Sequence, residues 1–153
     1  MSLIVEKYGG TSVGTSGRIR AVADRVAASH HAGEDLVVVV SAMAGETNRL
    51  LELAHDIDPG ADARETDVLV STGEQVTIAL LTMALHKLDV PARSYTGGQV
   101  RILTDNVHGK ARILDIDADM VRTDIEQRNV VVVAGFQGVD REGNINTLGR
   151  GGS

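Results

Sequence analysis

The sequence predicts an α/β fold built on a mainly parallel sheet with helices packed against it. Two observations carry this reading. Short runs of β-branched residues, too short for helices and apolar throughout, alternate with segments whose apolar residues recur at helical spacing. The core must also be built from aliphatic residues, because the 153 residues include one Phe, two Tyr and no Trp. With 42% hydrophobic and 24% charged residues the chain has the composition of one globular domain or part of one.

Leu3-Ile4-Val5 opens a strand that runs into Lys7-Tyr8 and then into the glycine-rich turn Gly9-Gly10-Thr11-Ser12-Val13-Gly14. A helix follows, capped by Ser16, with Ile19, Val22, Ala23, Val26 and Ala27 on one face, and it ends near His30-His31-Ala32-Gly33. Leu36-Val37-Val38-Val39-Val40 reads as a central strand buried on both faces, leaving through Ser41-Ala42-Met43-Ala44-Gly45. Leu50, Leu53, Ala54 and Ile57 mark a second amphipathic helix, stopped at Asp58-Pro59-Gly60. Strand, helix, strand, helix implies parallel pairing.

Residues 61–66 read as a polar loop, and Val68-Leu69-Val70 leads through Ser71-Thr72-Gly73-Glu74-Gln75 into a helix from Val76 to about Leu88, apolar on nearly all faces. A short strand covers Val90 to Tyr95, broken by Gly97-Gly98. Short strands flank the polar turn Asp105-Asn106-Val107-His108-Gly109. Val121 and Ile125 share one face of a short helix. Val130-Val131-Val132-Val133-Ala134 is a fully buried strand that leaves through Gly135-Phe136-Gln137-Gly138. Val139 to Thr147 forms a hairpin turning at Arg141-Glu142-Gly143-Asn144.

A net charge of −6 excludes a nucleic-acid surface, which needs clustered Lys and Arg. The absence of cysteine removes disulfides, thiolate metal sites and a Cys nucleophile. The N-terminus lacks a signal-peptide pattern, and the longest apolar runs fall far short of the roughly 20 residues a bilayer requires, so the expectation is a cytoplasmic protein with no membrane partner. The five histidines are scattered without triad or metal-ligand spacing.

Polar, glycine-containing segments follow three predicted strands: 9–12, 41–47 and 135–138. In an open parallel sheet the carboxyl ends of the strands share one edge, so these loops meet in a ligand crevice. Residues 9–14, preceded by Lys7, offer backbone N–H groups and a cation to an anion. The same glycines serve a tight strand-to-helix turn equally well. Glu74, read at a helix N-terminus, either helps cap that helix or pairs with a ligand ammonium. Arg150 among glycines suits a bidentate contact to carboxylate or phosphate, or is a solvated terminal arginine.

The segment Lys7-Tyr8-Gly9-Gly10-Thr11-Ser12-Val13-Gly14 resembles the aspartokinase family of the amino acid kinase superfamily. Further motifs agree in order: Val40-Ser41-Ala42-Met43 with Gly45-Glu46-Thr47-Asn48, Ser71-Thr72-Gly73-Glu74-Gln75, Ser94-Tyr95-Thr96-Gly97, His108-Gly109-Lys110-Ala111-Arg112-Ile113, Ala134-Gly135-Phe136-Gln137-Gly138 and Thr147-Leu148-Gly149-Arg150-Gly151-Gly152-Ser153. The ordered set spans the chain and is specific where any one motif is weak.

The resemblance implies a three-layer αβα sandwich with a mainly parallel central sheet, and transfer of the ATP γ-phosphoryl group to the side-chain carboxylate of L-aspartate. It assigns Lys7 to the transferring phosphoryl group and Gly9, Gly10 and Thr11 to the phosphate path. Ser41 and Thr47 would donate to aspartate, Glu74 would hold its ammonium, Arg150 its α-carboxylate, and Ser153 would complete the site. Magnesium would arrive with ATP. Family members continue beyond the Gly-Arg-Gly-Gly-Ser motif with the segment that binds most of the nucleotide and with ACT regulatory domains. Residues 1–153 therefore correspond to the amino-terminal part of the catalytic domain, truncated at its C-terminal side and weakly active or inactive alone, while the complete enzyme would be a homo-oligomer. The other reading is a non-catalytic module that binds an amino acid or anion in the same crevice.

Overall fold

The computed structural model describes residues 2–149. Four strands, β1 (Leu3–Tyr8), β2 (Asp35–Val40), β3 (Ala92–Tyr95) and β6 (Val130–Ala134), form an all-parallel sheet in the order β1-β2-β6-β3. Parallel strands need crossovers, and the helices supply them. Between β1 and β2 run a 3₁₀ turn (Gly10–Val13) and α1 (Ser16–His31); α2 (Glu46–Ile57) and α3 (Ala63–Lys87) lead from β2 to β3. A second sheet, β5-β4-β7-β8, is made of β4 (Ile102–Thr104), β5 (Ile113–Ile116), β7 (Gln137–Val139) and β8 (Ile145–Thr147), and α4 (Asp119–Glu126) returns the chain to β6.

Burial follows the sequence pattern on one face of the parallel sheet. Ile19, Val22, Ala23, Val26 and Ala27 of α1 and Ile78, Leu81 and Leu85 of α3 pack on Leu36, Val38, Val40, Val130, Val132 and Ala134. Each fully buried Val or Leu contributes about 1.5–3 kcal/mol. The opposite face is covered mainly over β6 and β3, where Val131, Val133 and Tyr95 meet Val100, Ile102, Val121 and Ile125, with Val37 of β2 at the margin. Helices thus lie on both faces, as the three-layer expectation requires. Towards β1 that second face opens, leaving Leu3 59% and Val5 64% exposed.

Several elements differ from the sequence reading. β2 is buried on one face only: Leu36, Val38 and Val40 point into the core, whereas Val37 and Val39 on the open face are half-buried. The cap of α1 is Thr15, one residue earlier than expected, its hydroxyl oxygen accepting from the Arg18 N–H at 3.1 Å. α2 has the expected extent, but of its apolar stripe only Leu50 is buried.

The largest difference is α3, which starts at Ala63 and absorbs most of the predicted loop and the segment that leads into the expected helix. Its buried face runs Asp67, Val70, Ser71, Glu74, Thr77, Ile78, Leu81, Thr82 and Leu85 at helical spacing, but mixes polar with apolar residues, so apolar periodicity alone misses its first three turns. The hydroxyls on it bond back to helix carbonyls, Ser71 to Val68 at 2.8 Å and Thr82 to Ile78 at 2.7 Å. With 25 residues and a mean hydropathy of 1.5, α3 is long and apolar enough to cross a membrane. Half of that stretch is buried against the protein, and the buried face carries Asp67 and Glu74, so α3 is a core helix.

α3 also joins the two sheets. Asp67 accepts from the Thr147 hydroxyl at 2.6 Å, from His108 Nδ1 at 3.0 Å and from the Gly109 N–H at 3.1 Å. The predicted hairpin is β7–β8, its turn organised by the Asp140 carboxylate, which accepts from the backbone of Glu142 and Asn144 and from the Asn144 and Asn146 amides. These bonds hold the Asp140 carboxyl low against the opposing effect of its desolvation.

Candidate active site

The carboxyl ends of β1, β2 and β6 meet at one edge of the parallel sheet, and a crevice of about 310 Å³ opens there. That volume matches a small metabolite. Gly10, Ser41, Thr47, Asn48, Glu74 and Phe136 are among the residues lining it.

Backbone bonds draw the loops together. Ser41 N–H donates to the Tyr8 carbonyl at 3.2 Å, Ala44 N–H to Gly10 at 3.1 Å and Gly135 N–H to Val40 at 3.0 Å. Gly10 is needed for close approach, since a Cβ there would lie 3.1 Å from the Ala42 carbonyl oxygen. Gly45, at φ +80°, turns the β2 loop into α2 and puts Thr47 in the first turn of that helix. On the other side Gly73 brings α3 against the same loop: a Cβ on it would sit 3.0 Å from the Ala42 methyl. The next residue, Glu74, is thereby carried into the crevice.

Glu74 is 3% exposed. Its Oε2 accepts from the Gln137 amide at 3.3 Å, while Oε1 has no hydrogen-bond partner among the described residues. Burial pushes its carboxyl up to about 7, with the Phe136 N–H and the Gln137 amide pulling the other way. Glu74 lies in mid-helix, three turns from the start of α3, so the N-terminal capping and dipole role read from the sequence does not apply.

Of the residues expected to form the site, the crevice brings together Gly10, Ser41, Thr47 and Glu74. Gly9 and Thr11 belong to the same turn but stand outside its lining. Lys7, near the end of β1, also lies outside the lining; it shares the open sheet face with Val5 and its register partner Val39. Arg150 and Ser153 fall outside the described residues. Two residues given no role of their own in the sequence reading emerge. Phe136, the only phenylalanine of the chain, lines the crevice, and its position at the exit of a buried strand was the available signal. Gln137 bonds Glu74, and it shares that strand-exit signal, although nothing local in the sequence marks its partner.

The model of the amino acid kinase family matches residues 2–153. The chain belongs to the amino acid kinase family. Among its curated relatives, an aspartate kinase of Stutzerimonas stutzeri is 66% identical over 153 residues, covering 100% of this chain and 37% of the relative. Among solved structures, the aspartate kinase from Synechocystis is 47% identical with a TM-score of 0.82, covering 100% of this chain and 25% of that one. E. coli aspartokinase III shares the fold in two states. Its complex with aspartate and ADP has a TM-score of 0.84 at 24% identity, and its complex with lysine and aspartate 0.81 at 26%, each covering 99% of this chain and 44% of the other. As an amino acid kinase, the chain thus spans a little over a third of the length of the curated relatives it matches.

Proposed function

We propose that these residues form the aspartate-binding part of an aspartate kinase, which transfers the γ-phosphoryl group of Mg-ATP to the side-chain carboxylate of L-aspartate. The observation that carries the reading is Glu74. A buried carboxylate lining the same crevice as Ser41 and Thr47, with one oxygen that has no donor among the described residues, is suited to a ligand ammonium. The Ser41 and Thr47 hydroxyls then donate to the substrate's carboxylates.

In the reaction a side-chain carboxylate oxygen of aspartate forms the new bond to the γ-phosphorus while the bond to the β,γ-bridging oxygen breaks, giving 4-phospho-L-aspartate and ADP. Both reactants are anionic, so catalysis here is positioning and charge stabilisation. Lys7 supplies the cation for the transferring group, the 9–11 turn supplies backbone donors along the phosphate path, and Arg150 and Ser153 complete the aspartate site. The names of the relatives and the aspartate and ADP in the solved complex support this reading. The rest of the nucleotide site belongs to sequence outside these 153 residues, and the complete enzyme is a cytoplasmic homo-oligomer.

Steady-state kinetics of the complete protein test the assignment. Glu74→Gln raises KM for aspartate by about 30-fold or more, the effect of losing a hydrogen bond to a charged group, with KM for ATP little changed. Lys7→Ala instead lowers kcat by about 100-fold with a small effect on aspartate KM. An unchanged aspartate KM in the first variant, or an unchanged kcat in the second, removes that residue from its role.

A further inference from the structure

Gln137 begins β7, directly after the Gly135-Phe136 loop, and is 3% exposed. Its amide is engaged at both ends. Nε2 donates to the Ser71 carbonyl at 3.0 Å and to Glu74 Oε2 at 3.3 Å, and Oε1 accepts from the Gly97 N–H at 3.3 Å. Because the Gly97 N–H can only donate, the oxygen end of the amide must face it, and the nitrogen end must face Glu74. The backbone around Gln137 has no slack. A Cβ on Gly97 would come within 2.1 Å of the Gln137 carbonyl oxygen, and one on Gly138 within 2.5 Å of that of Ile102.

From this geometry we propose that Gln137 is a positioning residue for Glu74: its amide ties Oε2 to the Ser71 carbonyl one helical turn earlier and leaves Oε1 as the oxygen presented to the ligand ammonium. The inference rests on Glu74 being the ammonium-binding group. It adds a side chain that, together with the stronger effect of the Phe136 N–H, favours the ionised form of a buried carboxylate and turns it before the ligand arrives.

Among the described residues no other ionisable side chain lines the crevice with Glu74. The elements packed around it bring Glu46 and Arg49 on α2, which pair with each other at 2.7 Å, and Asp67 on α3 itself, held by Thr147, His108 and Gly109; Arg93 on β3 turns to Asp124 and Lys7 on β1 to the open face, both away from α3. Where α1 and β6 meet α3 the contact is apolar. The Gln137 amide is therefore the side chain that favours the charged form of Glu74, against a burial that pushes it up to about 7.

The test is KM for aspartate in the complete protein between pH 6 and 9, for the parent, Glu74→Gln, Gln137→Met and Gln137→Glu, with KM for ATP and thermal melting as controls. In the parent, aspartate KM falls as pH rises through about 7. Gln137→Met moves that limb up by about one pH unit, so that KM rises about fivefold at pH 7 and hardly at all at pH 9. Gln137→Glu moves it the same way, because a second carboxyl disfavours ionisation of the first, and carries the test if Gln137→Met does not fold. A limb that stays in place, a KM raised equally at every pH, or failure of both variants to fold overturns the proposal and makes Gln137 a packing residue. Glu74→Gln with parental aspartate KM is a separate result: it removes the role of Glu74, and the positioning role falls with it.

Discussion

Glu74 holds its place against its own desolvation, which gives a measurable signature on folding. Its carboxyl is raised from an ordinary 4.5 to about 7 by burial, so the folded state binds its proton more tightly than the unfolded chain. A raised carboxyl contributes stability in full below 4.5 and loses it as pH climbs to about 7, a change of about 3 kcal/mol. Urea unfolding without aspartate at pH 5 and pH 8 should show this loss in the parent and not in Glu74→Gln, which becomes the more stable protein at pH 8. Parallel curves would mean that the carboxyl is not desolvated. The sequence showed Gly10, Ser41 and Thr47 because they lie in the polar, glycine-containing segments that follow the first two predicted strands, where chemistry collects in parallel sheets. Glu74 was picked out beside an apolar helix, but its real surroundings come from Phe136 and Gln137, more than sixty positions away, and no local pattern encodes them.

The helix that carries Glu74 shows how a polar face hides an element from hydrophobic patterning. Residues 63–75 fall outside the predicted helix only if Asp67, Ser71 and Glu74 are assumed to face water; each is buried instead. The same helix explains why a glycine is tolerated in mid-helix at a cost of about 1 kcal/mol. Gly73→Ala should recover that propensity while forcing α3 away from the Ala42 methyl, 3.0 Å from the new Cβ. The expected outcome is stability within about 1 kcal/mol of the parent and an aspartate KM raised several-fold. Adding Ala42→Gly should restore binding. Parental aspartate KM in the single variant would show that this close approach does not set the width of the crevice. Elements with clean aliphatic periodicity, α1, α4 and β6, were legible to within a few residues.

The two sheets are joined where Asp67 gathers Thr147, His108 and Gly109, groups from two distant stretches of chain. Asp67→Ala leaves these donors without their acceptor inside the protein, and urea denaturation should report a loss of about 2–4 kcal/mol; a loss below about 0.5 kcal/mol would make the cluster incidental. Such a tie is invisible in sequence because its members share no spacing. Strand identities and parallel pairing were readable, whereas the strand order was not, since it depends on which buried surfaces fit. That order governs how the chain is made. β6 lies between β2 and β3, with Val37 opposite Val131 and Ala92 opposite Val130. During synthesis β2 must therefore wait for a partner roughly ninety residues downstream, on the order of 5–20 s at ordinary translation rates. Until then the apolar edges that will become the middle of the sheet stand open on the ribosome, which makes the arrival of the Val130–Ala134 run the event that commits the nascent chain to its fold.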